Sequence, residues 1–150
     1  MKRGFTLVEL MVVIVVMGLL LVMIVPFVSR TFYAKTQAVD QVYTLLQRAR
    51  FRAISRLATC RVELDGTHHP ISSDLISLWQ GGQRIEGPYA LPRESDLRPD
   101  VTTWIWFHSD GTADDGAGNP PPPVWVHYGK GLTGYKTIQV YQASGMPVIQ

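Results

Sequence analysis

Glu9 is the only ionisable side chain between Phe5 and Ser29, in a run built mostly of Leu, Val, Ile and Met. A lone carboxylate inside a bilayer costs roughly 2.5–3.5 kcal/mol on insertion scales, so it needs a counter-charge or a place near the headgroups. A cut after Gly4 would supply the counter-charge, because it frees an amino group on Phe5, four residues before Glu9. The order of features supports such a cut. In an ordinary secretory signal the cleavage site follows the apolar stretch. Here Lys2-Arg3 is followed at once by Gly4, and the apolar run comes afterwards. Cleavage at Gly4 leaves that run on the mature chain as a retained anchor.

Other residues capable of chemistry do not converge. His68 and His69 are adjacent, so their side chains point apart, and His108 and His127 fall in separate expected strands. That spacing gives no reason to expect zinc. The stretch Asp110 to Gly116 lacks the alternating acids and terminal glutamate of an EF-hand, and reads as a polar hairpin tip. No nucleophile elbow, phosphate loop or metalloprotease motif is present, so an enzyme is the poorest reading and no cofactor or metal is expected. Cys60 is the single cysteine and cannot form an internal disulfide; a small buried residue where helix meets strand is its expected role. The net charge of +2 comes from Lys2 and Arg3, without which acids and bases balance at twelve each. Charge therefore gives no argument for a nucleic-acid partner.

These residues must be carried by extended elements. From Leu10 to Ser29 no side chain is charged, and twenty residues of helix span about 30 Å, the thickness of a bilayer core. The basic start should stay cytoplasmic and the remainder should lie outside. From Val39 onward, Val42, Tyr43, Leu46, Ala53, Ile54 and Leu57 recur at three- and four-residue spacing, which marks an amphipathic helix. One helix from about Phe5 to Leu57 is expected, membranous first and then packed on a globular domain. Gln41, Arg48, Arg52 and Ser55 fall on its polar side, whereas Arg50 points into the apolar stripe and needs a carboxylate or carbonyl partner. Strands are expected at 61–64, 75–79, 103–108, 124–128 and 137–142, separated by glycine-containing turns. They suit an antiparallel sheet with one face on the helix. The segment from Gly87 to Asp100 reads as a long surface loop, and Pro120 to Pro123 as a stiff connector. The fold class is α+β, with residues 1–4 a leader, 5–29 a membrane and assembly helix, and 30–150 an outer domain that is helical to about 58.

The leader Lys2-Arg3-Gly4-Phe5-Thr6-Leu7-Val8-Glu9-Leu10 and its apolar run resemble the class III signal of type IV prepilins and type II secretion pseudopilins. The resemblance implies cleavage after Gly4 by a prepilin peptidase and N-methylation of Phe5. It also implies that Glu9 pairs with the terminal amine of a neighbouring subunit. Pro26 matches a helix-kinking proline of that family, and a proline there removes one helix hydrogen bond. The helix end, with Ala49, Arg50 and Ala53, and the Phe107 to Gly111 hairpin resemble the GspH/FimT group of minor pilins. Phe51 and Arg52 depart from that group's pattern. Implied partners are other pilin subunits, the inner-membrane assembly platform and membrane lipid. Some FimT-like pilins contact DNA through C-terminal arginines, but Gly145-Met146-Pro147-Val148 has none here. Arg48, Arg52 and Arg56 make a basic helical stripe that could touch DNA or a neighbouring subunit, and the subunit is favoured. A DNA-contacting pilin of a competence pilus is the principal alternative to an assembly subunit. A generic anchored periplasmic domain explains the leader least well.

Overall fold

The structure, a computed structural model, describes residues 6–67, 73–129 and 131–150, and within the first helix it leaves the side chains of residues 22–36 undescribed. Helix α1 runs over Leu7–Arg56. The chain forms two compact units, Met1–Tyr33 and Ala34–Gln150.

In the first unit every described side chain from Thr6 to Leu21 is exposed, although nearly all are apolar. An all-round apolar helix needs an apolar surrounding rather than a single packed face. Among the described residues no helix is long and apolar enough to cross a membrane. The expected span, Leu10 to Ser29, continues past Leu21 into side chains outside the described set, as does the kink expected at Pro26.

The second unit is built on the C-terminal part of α1. Ala38, Val42, Leu45, Leu46, Ala49 and Ala53 are buried along one stripe. The following strands are β1 (Cys60–Asp65), β2 (Leu75–Gln80), β3 (Gln83–Ala90), β4 (Ser95–Arg98), β5 (Thr102–Phe107), β6 (Ala113–Asp114), β7 (Val124–Tyr128), β8 (Gly134–Val140) and β9 (Pro147–Ile149). They pair antiparallel in two sheets, of order β3-β2-β1-β5-β6 and β4-β7-β8-β9. Alternation directs the chemistry. In β1, Cys60, Val62 and Leu64 point into the core, and Arg61, Glu63 and Asp65 point outward. The core is one cluster that joins α1 to both sheets, through Val62, Leu78, Ile105 and Phe107 of the first and Val126, Ile138 and Val140 of the second.

Two expectations need correction. The segment from Gly87 to Asp100 is not one surface loop, because it contains the end of β3 and all of β4. β3 escapes a pattern search because it is an exposed edge strand interrupted by Gly87-Pro88, and it joins β2 with register shifts between Ile76 and Trp79. β4 escapes because its buried residues include Ser95 and Asp96, with Arg98 Nε 2.8 Å from the Asp96 carboxylate. The apolar stripe of α1 also ends early. Ile54 is partly exposed and Leu57 is 80% exposed.

The reason is the helix terminus. Leu57 has φ +49°, its N–H donates to Ile54 O at 3.4 Å, and the Ala58 N–H donates to Ala53 O at 3.2 Å. This pair of bonds is a Schellman cap, in which the residue after the helix turns left-handed. The turn swings Leu57 off the buried face. A branched residue in that conformation is strained, whereas glycine adopts it freely. Leu57→Gly should therefore raise thermal stability by a few tenths to about 1 kcal/mol, while Leu46→Ala should lower it by about 2–5 kcal/mol. Denaturant melts of the two variants give the comparison, and a destabilised Leu57→Gly would contradict the strained cap.

Candidate assembly and processing site

Thr6 precedes the first turn of α1. Its N–H and hydroxyl donate to Glu9 Oε2 at 3.0 and 2.9 Å, and the Glu9 N–H donates back to Thr6 Oγ1 at 3.3 Å. These reciprocal bonds form a capping box, which satisfies helix N–H groups that have no partner within the helix. Sequence reasoning missed it, although the signal is plain: Thr6-x-x-Glu9 has capping-box spacing and opens an apolar run. Glu9 therefore has a partner in its own chain. Gly4 and Phe5 lie outside the described residues, so the expected pairing of Glu9 with a Phe5 amine is not observable here.

The three arginines expected to form a stripe do share one side of α1, but neighbours divide them. Arg48 Nη1 lies 3.2 Å from Glu86 Oε2, and Arg52 Nε donates to Gln80 Oε1 at 3.1 Å. Arg56 occupies the last turn, where a cation complements the carbonyl end of the helix. Arg50, expected to need a carboxylate or a carbonyl, has a carbonyl: its Nε donates to Ser144 O at 2.7 Å. That bond fastens the C-terminal turn to α1.

The remaining sequence candidates serve local structure. His108 Nε2 meets Asp114 Oδ2 at 2.9 Å, and His127 stacks on Tyr135 with ring centroids 5.6 Å apart. His68 and His69 lie outside the described residues. Among the described residues no three His, Cys, Asp or Glu side chains gather as a metal site would require. The acids of the hairpin tip turn inward on their own loop. Asp110 accepts from the Thr112 N–H and hydroxyl, and Asp115 accepts from Asn119 and the Ala117 N–H. The bonds from Thr112 hold the Asp110 carboxyl below its ordinary range, and those from Asn119 and Ala117 do the same for Asp115. Cys60 is fully buried, and burial pushes its thiol up against the opposing charge of Arg52.

Residues 1–25 match the prokaryotic N-terminal methylation motif. The fold is similar to that of the type IV minor pilin FimU of Pseudomonas aeruginosa, strain PAO1. In one crystal form the likeness has TM-score 0.50 at 18% identity and covers 83% of this chain and 91% of FimU. A second crystal form of FimU gives TM-score 0.47 at 16% identity, over 75% and 90% of the two chains. The fold is thus similar to that of a type IV minor pilin, and the start carries a methylation motif. Both belong to structural subunits rather than to enzymes. No curated protein matches the sequence.

Arg48 already has a carboxylate and Arg52 an amide oxygen, so the basic stripe of this chain should neutralise fewer than three phosphates. Double-stranded DNA binding should show a salt slope shallower than about −3, against roughly −0.9 per phosphate for free contacts. Fluorescence titrations over several salt concentrations, repeated with Arg48, Arg52 and Arg56 changed to Gln, measure it. A steep slope that disappears in the triple variant would restore the DNA-contacting alternative.

Proposed function

We propose that this chain is a minor subunit of a type IV pilus. In this reading it waits in the inner membrane with its start in the cytoplasm and its β domain in the periplasm. A prepilin peptidase cuts after Gly4, Phe5 is N-methylated, and the apolar helix enters a filament through the assembly platform. The observation that carries the reading is the junction of two features: a methylation motif over residues 1–25 and a helix whose described apolar side chains from Leu7 to Leu21 are all exposed. Such a surface is stable only in lipid or among other helices. Minor rather than major status rests on the resemblance of the Ala49–Ala53 and Phe107–Gly111 segments to the GspH/FimT group, with the FimU-like fold in support.

Glu9 links processing to assembly. After the cut, Phe5 is the first residue and is bonded directly to Thr6, whose N–H already donates to the Glu9 carboxylate. The capping box holds that carboxylate at the very end of the helix, where a terminal amine of the same or an adjacent subunit can reach it. A neutral pair crosses apolar surroundings at far lower cost than either charge alone.

Mass analysis of membrane-extracted protein should find an N-terminal methylated Phe5. Retention of Met1, or a cut after Ser29, would end the pilin reading. Glu9→Val should preserve or improve membrane insertion, because it removes the charge, and yet impair incorporation into filaments. Fractionating sheared filaments from cells that express the variant beside wild-type subunits measures this. Normal incorporation would remove the assembly role of Glu9.

A further inference from the structure

The outward face of the five-stranded sheet carries one transverse row of side chains in register: Arg84, Trp79, Arg61, Trp106 and Asp114. Trp104 adjoins it, paired with Glu63 in the next row. The Arg61 guanidinium carbon lies 5.4, 4.4 and 5.0 Å from the ring centroids of Trp79, Trp104 and Trp106. Arg84 approaches Trp79 as well, at 5.6 Å. Ring contact fixes a guanidinium in place but leaves its N–H fork unused. Among the described residues neither the Arg61 nor the Arg84 side chain has a hydrogen-bond acceptor or a carboxylate partner. The acids nearest to them are committed elsewhere. Glu63 accepts from Trp79 Nε1 at 2.9 Å, and Asp114 pairs with His108.

Arg61 opens into a groove of about 550 Å³ between Trp79 and Trp106, and no acidic residue lines it. Its polar lining includes groups able to donate. Arg52 holds the Gln80 side-chain oxygen, so the amide nitrogen of Gln80 is the end left to donate. The Thr59 hydroxyl stands at the same rim, and Gly81-Gly82 brings uncovered backbone there, with open space where side chains would be. Aromatic walls, a pre-oriented unpaired cation and further donors make a site for an oxyanion.

From this we infer that the groove receives a single carboxylate side chain from a neighbouring protein subunit. The surrounding charge decides between occupants. Past Arg61 the outer face of β1 continues with Glu63 and Asp65, and the row ends at Asp114. A continuous polyphosphate chain would be repelled there, whereas one carboxylate on an otherwise neutral surface would not. Tryptophan and arginine are also the side chains most concentrated at the energetic centres of protein interfaces. The choice of a subunit as the source rests on the pilin reading. The carboxylate chemistry does not.

The test uses the full chain in neutral detergent, with tryptophan emission as readout, since three of its four tryptophans touch Arg61. The probes are the capped peptides acetyl-Gly-Glu-Gly-amide and acetyl-Gly-Gln-Gly-amide, inorganic phosphate, and an eight-residue thymidine oligonucleotide. At low salt the Glu peptide should bind about tenfold more tightly than the Gln peptide and more tightly than phosphate or the oligonucleotide. Arg61→Gln should erase the preference, and Arg61→Lys, which keeps a charge over the rings without the planar fork, should reduce it. The Lys variant keeps the test decisive if circular dichroism finds the Gln variant unfolded. Equal binding of the two peptides, a preference that survives both Arg61 variants, or tighter binding of phosphate or oligonucleotide would each overturn the assignment. The titration needs neither cleavage nor assembly, so its failure leaves the pilin reading intact, and failed filament incorporation leaves the titration result intact.

Discussion

Burial of one face of α1 against two sheets is the interaction on which the β domain depends. The sheets pair with one another little along their edges, and their common ground is the stripe from Ala38 to Ala53. Small residues make that possible. Ala38, Ala49 and Ala53 are buried in the same cluster as the larger Leu45, Leu46, Leu78, Phe107 and Ile138. A helix is well suited to the task because its side chains form a continuous ridge that either sheet can straddle. Local ties then secure what the apolar core cannot. Arg50 binds the Ser144 carbonyl, and the Ala113 N–H donates to Gln142 O at 2.8 Å, so the C-terminal turn is held by both the helix and the first sheet.

The two ends of α1 carry different side-chain patterns. Its described N-terminal residues are apolar on all sides, and its last twenty are apolar on one side only. Nothing in the backbone marks the change, because α1 is continuous over fifty residues. Side-chain pattern alone carries the information. A hydrogen-bonded helix satisfies its own peptide groups, so it can pass from one medium to another without exposing them. In the proposed reading, this is how a single element would serve as both anchor and core.

Much of this was legible in the sequence, and the failures have causes. Strands β1, β2, β5, β7 and β8 follow from alternating apolar residues bounded by glycine turns, and the structure contains all five within a residue or a few of the expected bounds. The strands that were missed lie at sheet edges or have polar interiors. β3 is exposed, β4 buries Ser95 and Asp96, β6 has two residues and β9 has three. Such strands are specified by their neighbours, and local pattern cannot reveal a partner that is distant in sequence. Arg50 was legible as a residue needing a carboxylate or a carbonyl, but not which of the two nor where it lies in the chain. The Arg61 cluster was invisible for the same reason. Its three tryptophans come from β2 and β5, and only register brings them around one guanidinium.

If Glu9 has the assembly role proposed for it, one carboxylate carries both a local and a collective role. As the third residue of the helix it is bound by Thr6, and that bond keeps the first turn wound. A frayed first turn would let the carboxylate wander over several ångströms. A wound one fixes it at the helix tip, where the peptide dipoles already favour negative charge. In the proposed assembly, the capping box would remove in advance conformational freedom that a charge pair must otherwise remove, so association would be less costly. A free carboxylate on a flexible terminus could neutralise an amine equally well in principle. It would lose more entropy in doing so, and it would not define where along the helix the neighbouring amine must sit. Position, rather than charge alone, is what a helical filament requires of its subunits, because each contact is repeated from one subunit to the next.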